Sequence, residues 1–199
     1  MGKLGELGRL VCRGEVPFIL RRVRNRMYAV WHMELLEAAR TEPLGVRVPE
    51  GMTIRDAGAE DVPAIARIWP ESFMPSGLRH ADAASVITKH MNEAMGCYVL
   101  EDSGRVVSVL FIKDAYAWNR EPAIEIAKCA TDDACRGQGL IGYLIRHAVS
   151  AAGEGCRVFA QVMKGNHASV RSFAKAGFRS AGVLESRYLL GLTRYRIVP

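Results

Sequence analysis

The run Arg136-Gly137-Gln138-Gly139-Leu140-Ile141 constrains this chain more than any other segment, because the hydrophobic period changes across it. Upstream, residues 97–101, 106–113 and 124–131 are apolar and β-branched stretches separated by Asp102-Ser103-Gly104 and by residues 118–122, as strands joined by turns are. Downstream, Leu140, Tyr143, Leu144, His147 and Ala148 recur at helical spacing until Gly153. A glycine turn that leads from strand into helix presents the first helical N–H groups, which lack internal acceptors, to an anion such as a phosphate. Glycine permits the close approach and the left-handed dihedrals such a turn needs, and the helix dipole and Arg136 add positive charge.

Gly137-x-Gly139-x-x-Gly142 also matches the dinucleotide fingerprint. Its context does not. The strand expected next, residues 158–162, is followed by Met163 and Lys164 rather than by an acidic residue, and too little chain remains for a full nucleotide domain. Beyond it, Asn166 begins a second helix that runs to Ala176 and ends at Gly177, and two last strands occupy residues 179–184 and 188–197.

Before these elements, Met52 to Arg55 reads as a short strand, Ala59-Glu60-Asp61 opens a helix carrying Val62, Ile65, Ala66 and Trp69 and stopped by Pro70, and a further helix covers residues 81–94. Thr41 to Gly51, with Pro43, Gly45 and Pro49, reads as a linker. Val23, Met27, Val30, Trp31 and Leu35 fall at helical spacing opposite Arg21, Arg22 and Arg26, which predicts an amphipathic helix. The expected division is residues 1–51, a basic amphipathic helix and linker, and residues 52–199, one globular domain. A composition of 49% hydrophobic and 24% charged residues suits one such domain.

Asn166-His167-Ala168-Ser169-Val170-Arg171-Ser172-Phe173-Ala174-Lys175-Ala176-Gly177-Phe178 resembles the second diagnostic motif of the GCN5-related N-acetyltransferases, the GNAT superfamily, and its distance from Arg136–Ile141 also fits. Cys129-Ala130-Thr131 occupies the place of the family's fourth-strand end, so the resemblance covers Met52 to the C-terminus. It implies an α/β layered GNAT fold, with a mixed, mostly antiparallel sheet and helices on both faces, here carrying an N-terminal helical extension. It implies acetyl-CoA as the acetyl donor, transferred directly to a primary amine. The donor contacts it implies are Cys129, Ala130, Thr131, Arg136, Gly137, Gln138, Gly139, Leu140, Ile141, Asn166, Ser169 and Phe173. The pantetheine arm would lie between the splayed fourth and fifth strands, bound by backbone groups of Cys129 to Thr131 as another strand would be. The Cys129 N–H would stabilise the oxyanion, and the thiol itself need not be a nucleophile.

Glu125-Ile126-x-x-Cys129-Ala130 resembles the segment in histone acetyltransferases of this superfamily whose glutamate is the general base, so Glu125 is the expected catalytic residue. A solvated strand carboxylate is its plain structural alternative, and His167 is a weaker candidate base. Phe173 stands where many members carry the tyrosine that protonates the thiolate. Ser172, water or the amine then supplies that proton, or the thiolate leaves unassisted. The resemblance places the acceptor near Trp69, Glu71, Phe73, Arg79, His80, Tyr116, Trp118, Asn119, Arg120 and Glu121. That mixture suits a polar small molecule, for example an amino sugar on a nucleotide.

Three alternatives stay open on the residues: transfer of a longer acyl group, a non-catalytic acyl-CoA-binding domain, and peripheral membrane contact of residues 18–36 in place of packing or homodimer formation. Nucleic acid is not an expected partner, since no basic groove interleaved with aromatics is visible. The five cysteines show no C-x-x-C pair, so no metal site is expected and a reducing compartment fits. With no long apolar run and no signal-peptide core, the expectation is a cytoplasmic protein.

Overall fold

The computed structural model describes residues 28–39, 46–70, 83–116, 122–153, 155–189 and 192–198. In chain order its elements are β1 (Tyr28–Ala38), β2 (Met52–Asp56), α1 (Val62–Ile68), α2 (Ala83–Glu93), β3 (Gly96–Asp102), β4 (Arg105–Tyr116), β5 (Pro122–Thr131), α3 (Ile141–Ala151), β6 (Arg157–Met163), α4 (His167–Lys175), β7 (Phe178–Leu189) and β8 (Leu192–Val198). One sheet holds the strands in the order β2-β3-β4-β5-β6-β1-β7-β8. The β5–β6 pair is parallel, and the other neighbours are antiparallel.

Local chemistry accounts for the β3–β4 hairpin. Ser103 and Gly104 both take positive φ, 50° and 81°, the twist that matches a two-residue turn to its flanking strands. Helices cover both faces of the sheet. On one, Leu144, Ile145 and Ala148 of α3 and Phe173 of α4 pack with Leu100, Leu110, Ile112 and Ile126. On the other, Ile65 and Ile68 of α1 and Ile87 of α2 close over Val99, Val109 and Phe111. The alternation along β4 assigns its residues to the two faces, with Leu110 and Ile112 on the first and Val109 and Phe111 on the second.

The amphipathic helix expected from Val23 to Leu35 is corrected over its described part. Tyr28–Ala38 is a strand, and it lies between β6 and β7. Residues 20–27 lie outside the described residues. Leu35 is 1% exposed and packs with Ala123 and Phe159, whereas its neighbour Leu36, 4% exposed, joins the core under α3 and α4. Adjacent apolar residues buried on opposite faces mark a strand enclosed on both sides, and a short apolar run of this kind carries no periodicity that separates it from a buried helix. The interfacial-helix reading loses its basis over the same residues, since 28–36 present no helical face. Among the described residues, no helix is long and apolar enough to cross a membrane.

Pairing of β1 with β7 is irregular between Leu35 and Leu36, which face Gly182 and Ser180. Gly182 takes φ +121°, and a Cβ there would meet the Val198 carbonyl oxygen at 3.0 Å, so this bulge needs glycine.

The burial of Leu35 predicts that Leu35→Ala lowers unfolding free energy by about 2–5 kcal/mol, measurable by denaturant titration. Removing residues 1–39 takes away the partner of both β6 and β7, and the expected product is insoluble or unfolded by circular dichroism. A truncated chain that stays folded would show β1 to be dispensable.

Candidate functional site

The β5–β6 ladder pairs Ala123 to Ile126 with Arg157 to Ala160 and goes no further. Beyond that point β5 continues to Thr131 and β6 to Met163, so the two strands part. From Ala127 onward the β5 backbone has no ladder partner on the β6 side among the described residues, which leaves an edge that an extended ligand can pair with. On its other side β5 is bulged. Val109 faces Ala130 and Phe111 faces Ala127, so Lys128 and Cys129 together oppose Leu110. Lys128 has φ +50°, a left-handed conformation uncommon for a residue with a side chain.

A cleft of about 700 Å³ lies at the C-terminal end of β5, between it and the starts of α3 and α4. Of the expected donor contacts, Cys129, Ala130, Thr131, Arg136, Gly137, Gly139, Leu140, Ile141, Asn166, Ser169 and Phe173 all line it. Gln138, in the middle of the turn, does not. Gly137 and Gly139 take φ +83° and +76°, and a Cβ on either would meet no atom within 4 Å, so the turn is open toward the cleft. Among the described residues, the N–H groups of Gly137, Gln138, Gly139 and Leu140 donate to no backbone carbonyl, which fits an anion cradle.

The turn is held from behind by Asp132. Its carboxylate accepts from the Ala134 N–H at 3.0 Å and from Arg105 at 2.6 Å, with Arg67 of α1 at 3.8 Å. The Ala134 N–H first, and Arg105 after it, hold this carboxyl below the usual carboxylate range. Arg136 pairs with Asp133 at 2.6 Å at the mouth of the cleft. Across from it, the Asn166 side chain caps α4 by accepting from the Ser169 N–H at 3.1 Å.

Burial pushes the Cys129 thiol up to about 12, so it stays protonated and is a poor nucleophile. Phe173 is 3% exposed and meets Phe178 edge to face at 5.0 Å, which makes it core as well as cleft wall. The Ser172 hydroxyl, on the cleft, donates to the Ala168 carbonyl at 3.0 Å. Three cations outside the expected donor contacts also line the cleft: Arg146 of α3, and Arg171 and Lys175 of α4. The signal for the α4 pair was present, because Ala168, Arg171, Ser172 and Lys175 recur at three- and four-residue intervals on one helical stripe.

Glu125 does not line the cleft. It pairs across the ladder with Lys113, two residues along β4 from Phe111 and therefore on the face covered by α1 and α2. Burial raises its carboxyl above the ordinary glutamate range, with Lys113 and then Lys128 drawing it part of the way back. The β5–β6 ladder ends at Ile126, one residue past Glu125, so Glu125 lies beside the point where the two strands part. His167 is exposed at the start of α4 and lines no part of the cleft. Trp69 is 8% exposed and meets Phe111 edge to face and His90 at a tilt, a core position. Glu71, Phe73, Arg79, His80, Trp118, Asn119, Arg120 and Glu121 lie outside the described residues, as does the side chain of Tyr116. Among the described residues, no cluster of His, Cys, Asp and Glu could hold a metal ion.

Residues 62–178 match the sequence profile of the Acetyltransferase (GNAT) family. No curated protein matches the chain. Among solved structures, it is similar to a protein from the GNAT family of Novosphingobium aromaticivorans, with 19% identity, a TM-score of 0.56, and coverage of 86% of this chain and 66% of that one. It is similar to an N-acetyltransferase from Staphylococcus aureus, with 24% identity, a TM-score of 0.52, and coverage of 66% and 85%. A GCN5-related N-acetyltransferase-like protein from Streptococcus suis gives 14% identity, a TM-score of 0.54, and coverage of 89% and 66%. The chain thus spans 66% of the length of the first and third of these. At such identities the likeness is one of fold.

The open glycine turn generates a direct test. Gly139→Asp places a carboxylate and a strained left-handed residue where an anion would sit, and calorimetry with coenzyme A is expected to show at least about a tenfold weaker Kd. An unchanged Kd would move the binding site elsewhere.

Proposed function

The chain belongs to the acetyltransferase (GNAT) family, and we propose that it transfers the acetyl group of acetyl-CoA to a primary amine of a small molecule, with Glu125 as the general base. The observation that carries this reading is the break in the β5–β6 ladder next to an open glycine turn, with a half-buried carboxylate on the same strand. In it, the N–H groups of Gly137 to Ile141 hold the pyrophosphate, and Arg136, Arg146, Arg171 and Lys175 supply cations around it. The β5 backbone from Cys129 to Thr131 holds the pantetheine amides along the free edge.

Bound acetyl-CoA supplies a thioester whose C–S bond breaks, its electron pair leaving on sulfur, as the amine nitrogen bonds to the carbonyl carbon. Glu125 accepts the proton the nitrogen gives up, directly or through a water. Its raised pKa suits that task, because a base whose conjugate acid is nearer the working pH matches an amine better than an ordinary carboxylate does. The Cys129 N–H, at the bulge, is the group in reach of the carbonyl oxygen in this arrangement, and the protonated thiol takes no covalent part. Phe173 gives up no proton, so the thiolate is protonated from solvent, from Ser172 or by the amine's own proton.

Two measurements follow from Glu125. Glu125→Gln is expected to keep coenzyme A affinity while turnover falls by about 10²- to 10⁴-fold, with the acidic limb of the kcat/KM profile lost; near-normal rates across pH would remove Glu125 from the mechanism. The same variant has a stability signature. A glutamate whose folded pKa lies above its unfolded one favours the folded state at low pH, and that contribution is lost as pH rises through the folded pKa. Glu125→Gln should therefore melt at a higher temperature than the native chain near neutral pH and at the same temperature below the unfolded glutamate pKa.

A further inference from the structure

Ser108 of β4 is polar and yet fully buried, and its side chain reaches the end of β5 beside the cleft. It pairs across the ladders with Leu100 on one side and with Thr131 on the other. Cross-strand neighbours share a face, and Leu100 belongs to the core under α3 and α4. The Ser108 and Thr131 side chains therefore lie on the side of the sheet where those two helices begin. Thr131 is half-buried there and lines the cleft. Ala130, one residue back, packs instead in the core under α1 and α2, so β5 alternates regularly again past its bulge.

Two short contacts fix where the protons of this hydroxyl pair go. The Ser108 hydroxyl stands 2.8 Å from the Ala130 carbonyl oxygen, which carries no proton, so Ser108 donates there. A hydroxyl has one proton to give. The 2.9 Å contact between the Ser108 and Thr131 hydroxyls must then use the proton of Thr131, with Ser108 accepting. The reverse order would set two proton-free oxygens against each other at 2.8 Å in a site closed to water. Among the described residues the Thr131 hydroxyl makes no other hydrogen bond. With its proton turned inward, that hydroxyl offers the cleft lone pairs alone: it can accept from a ligand and cannot donate to one.

We propose that Ser108 is a positioning residue that holds the Thr131 hydroxyl as a hydrogen-bond acceptor in the cleft, where it receives an amide N–H of the pantetheine arm. The proposal rests on the acetyl-CoA reading of the cleft and adds a side-chain contact to it. Ligand chemistry selects the group. The phosphates of coenzyme A present acceptor oxygens, and an acceptor hydroxyl does not bind them. The donors of the arm are its amide N–H groups and one hydroxyl, and the amides are what an extended arm turns toward a strand edge. Thr131 thus favours the arm at this end of β5 and disfavours the pyrophosphate, which the glycine turn takes. The register of β4 on β5 sets this polarity, because it places Ser108 opposite Thr131.

The test is calorimetry on the full chain with coenzyme A, with analogues in which one amide N–H or the other is replaced by an ester oxygen, and with 3′-phosphoadenosine 5′-diphosphate, which lacks the arm. The native chain is expected to bind one ester analogue on the order of tenfold more weakly than coenzyme A. In Thr131→Val that ratio should fall by on the order of tenfold, because coenzyme A itself has lost the contact, and Thr131→Ser should restore it. A weaker ester carbonyl affects both chains alike and cancels. Ser108→Ala should shrink the ratio while leaving the affinity for 3′-phosphoadenosine 5′-diphosphate unchanged, a selectivity that a general loosening of the fold would not show. Should Ser108→Ala lose that nucleotide as well, Ser108→Cys, which fills the site and donates weakly, replaces it. No loss with either analogue on the native chain, an equal loss in Thr131→Val, or a ratio that substitution of Ser108 does not change overturns the proposal and leaves acetyl-CoA binding standing. A native chain that binds coenzyme A no better than 3′-phosphoadenosine 5′-diphosphate holds no arm along β5, which overturns both.

Discussion

The structure turns on the place where β5 stops pairing with β6, after Ile126 and Ala160. A sheet normally satisfies its backbone groups strand by strand, so an interior ladder that ends early leaves donors and acceptors that need another partner. Here β6 is occupied on its other side by β1 as far as Met163, and β5 is bulged against β4 at Lys128 and Cys129. The bulge turns β5 away just where the ladder ends, and the free edge faces the turn at Gly137 and Gly139. One geometric event thus creates both an edge for an extended ligand and an opening between two interior strands.

The supporting structure keeps that opening in place. Asp132 ties the end of β5 to Arg105 of β4 and to Arg67 of α1, so the turn cannot drift from the sheet. Asn166 fixes the start of α4 on the other bank. Behind the cleft, Phe173 and Phe178 lock α4 to β7. Since β7 is hydrogen-bonded to β1 along its length, the far wall depends on the strand from the N-terminal region. A removable N-terminal addition would have left the cleft intact. An interior strand does not.

Electrostatics divides the two sides of the opening. The cleft carries Arg136, Arg146, Arg171 and Lys175 at exposed or half-exposed positions, where cations attract phosphates at little desolvation cost. The opposite face holds Glu125, Lys113 and Lys128 with part of their charge buried, and burial shifts the carboxyl upward and the Lys128 ammonium downward. Opposed shifts of neighbouring groups are what acid–base chemistry requires, and Coulomb effects there are larger than at the rim.

The sequence by itself determined what a few neighbouring residues decide: the glycine turn, the Asn166 cap, the Ser103-Gly104 hairpin, and the approximate starts and stops of α1, α2, α3 and α4. Dihedral preference, capping and side-chain period act within one or two turns of chain, so they are legible without knowing the fold. Tertiary structure decided whether residues 28–38 are helix or strand, because Leu35 and Leu36 are buried on opposite faces by distant parts of the chain, and β1 pairs with β6 and β7, more than a hundred residues away. It also decided the neighbours of Glu125. Its setting comes from Lys113 on another strand and from a bulge that changes which face Lys128 and Cys129 occupy, and register between strands is a long-range property that no local pattern states.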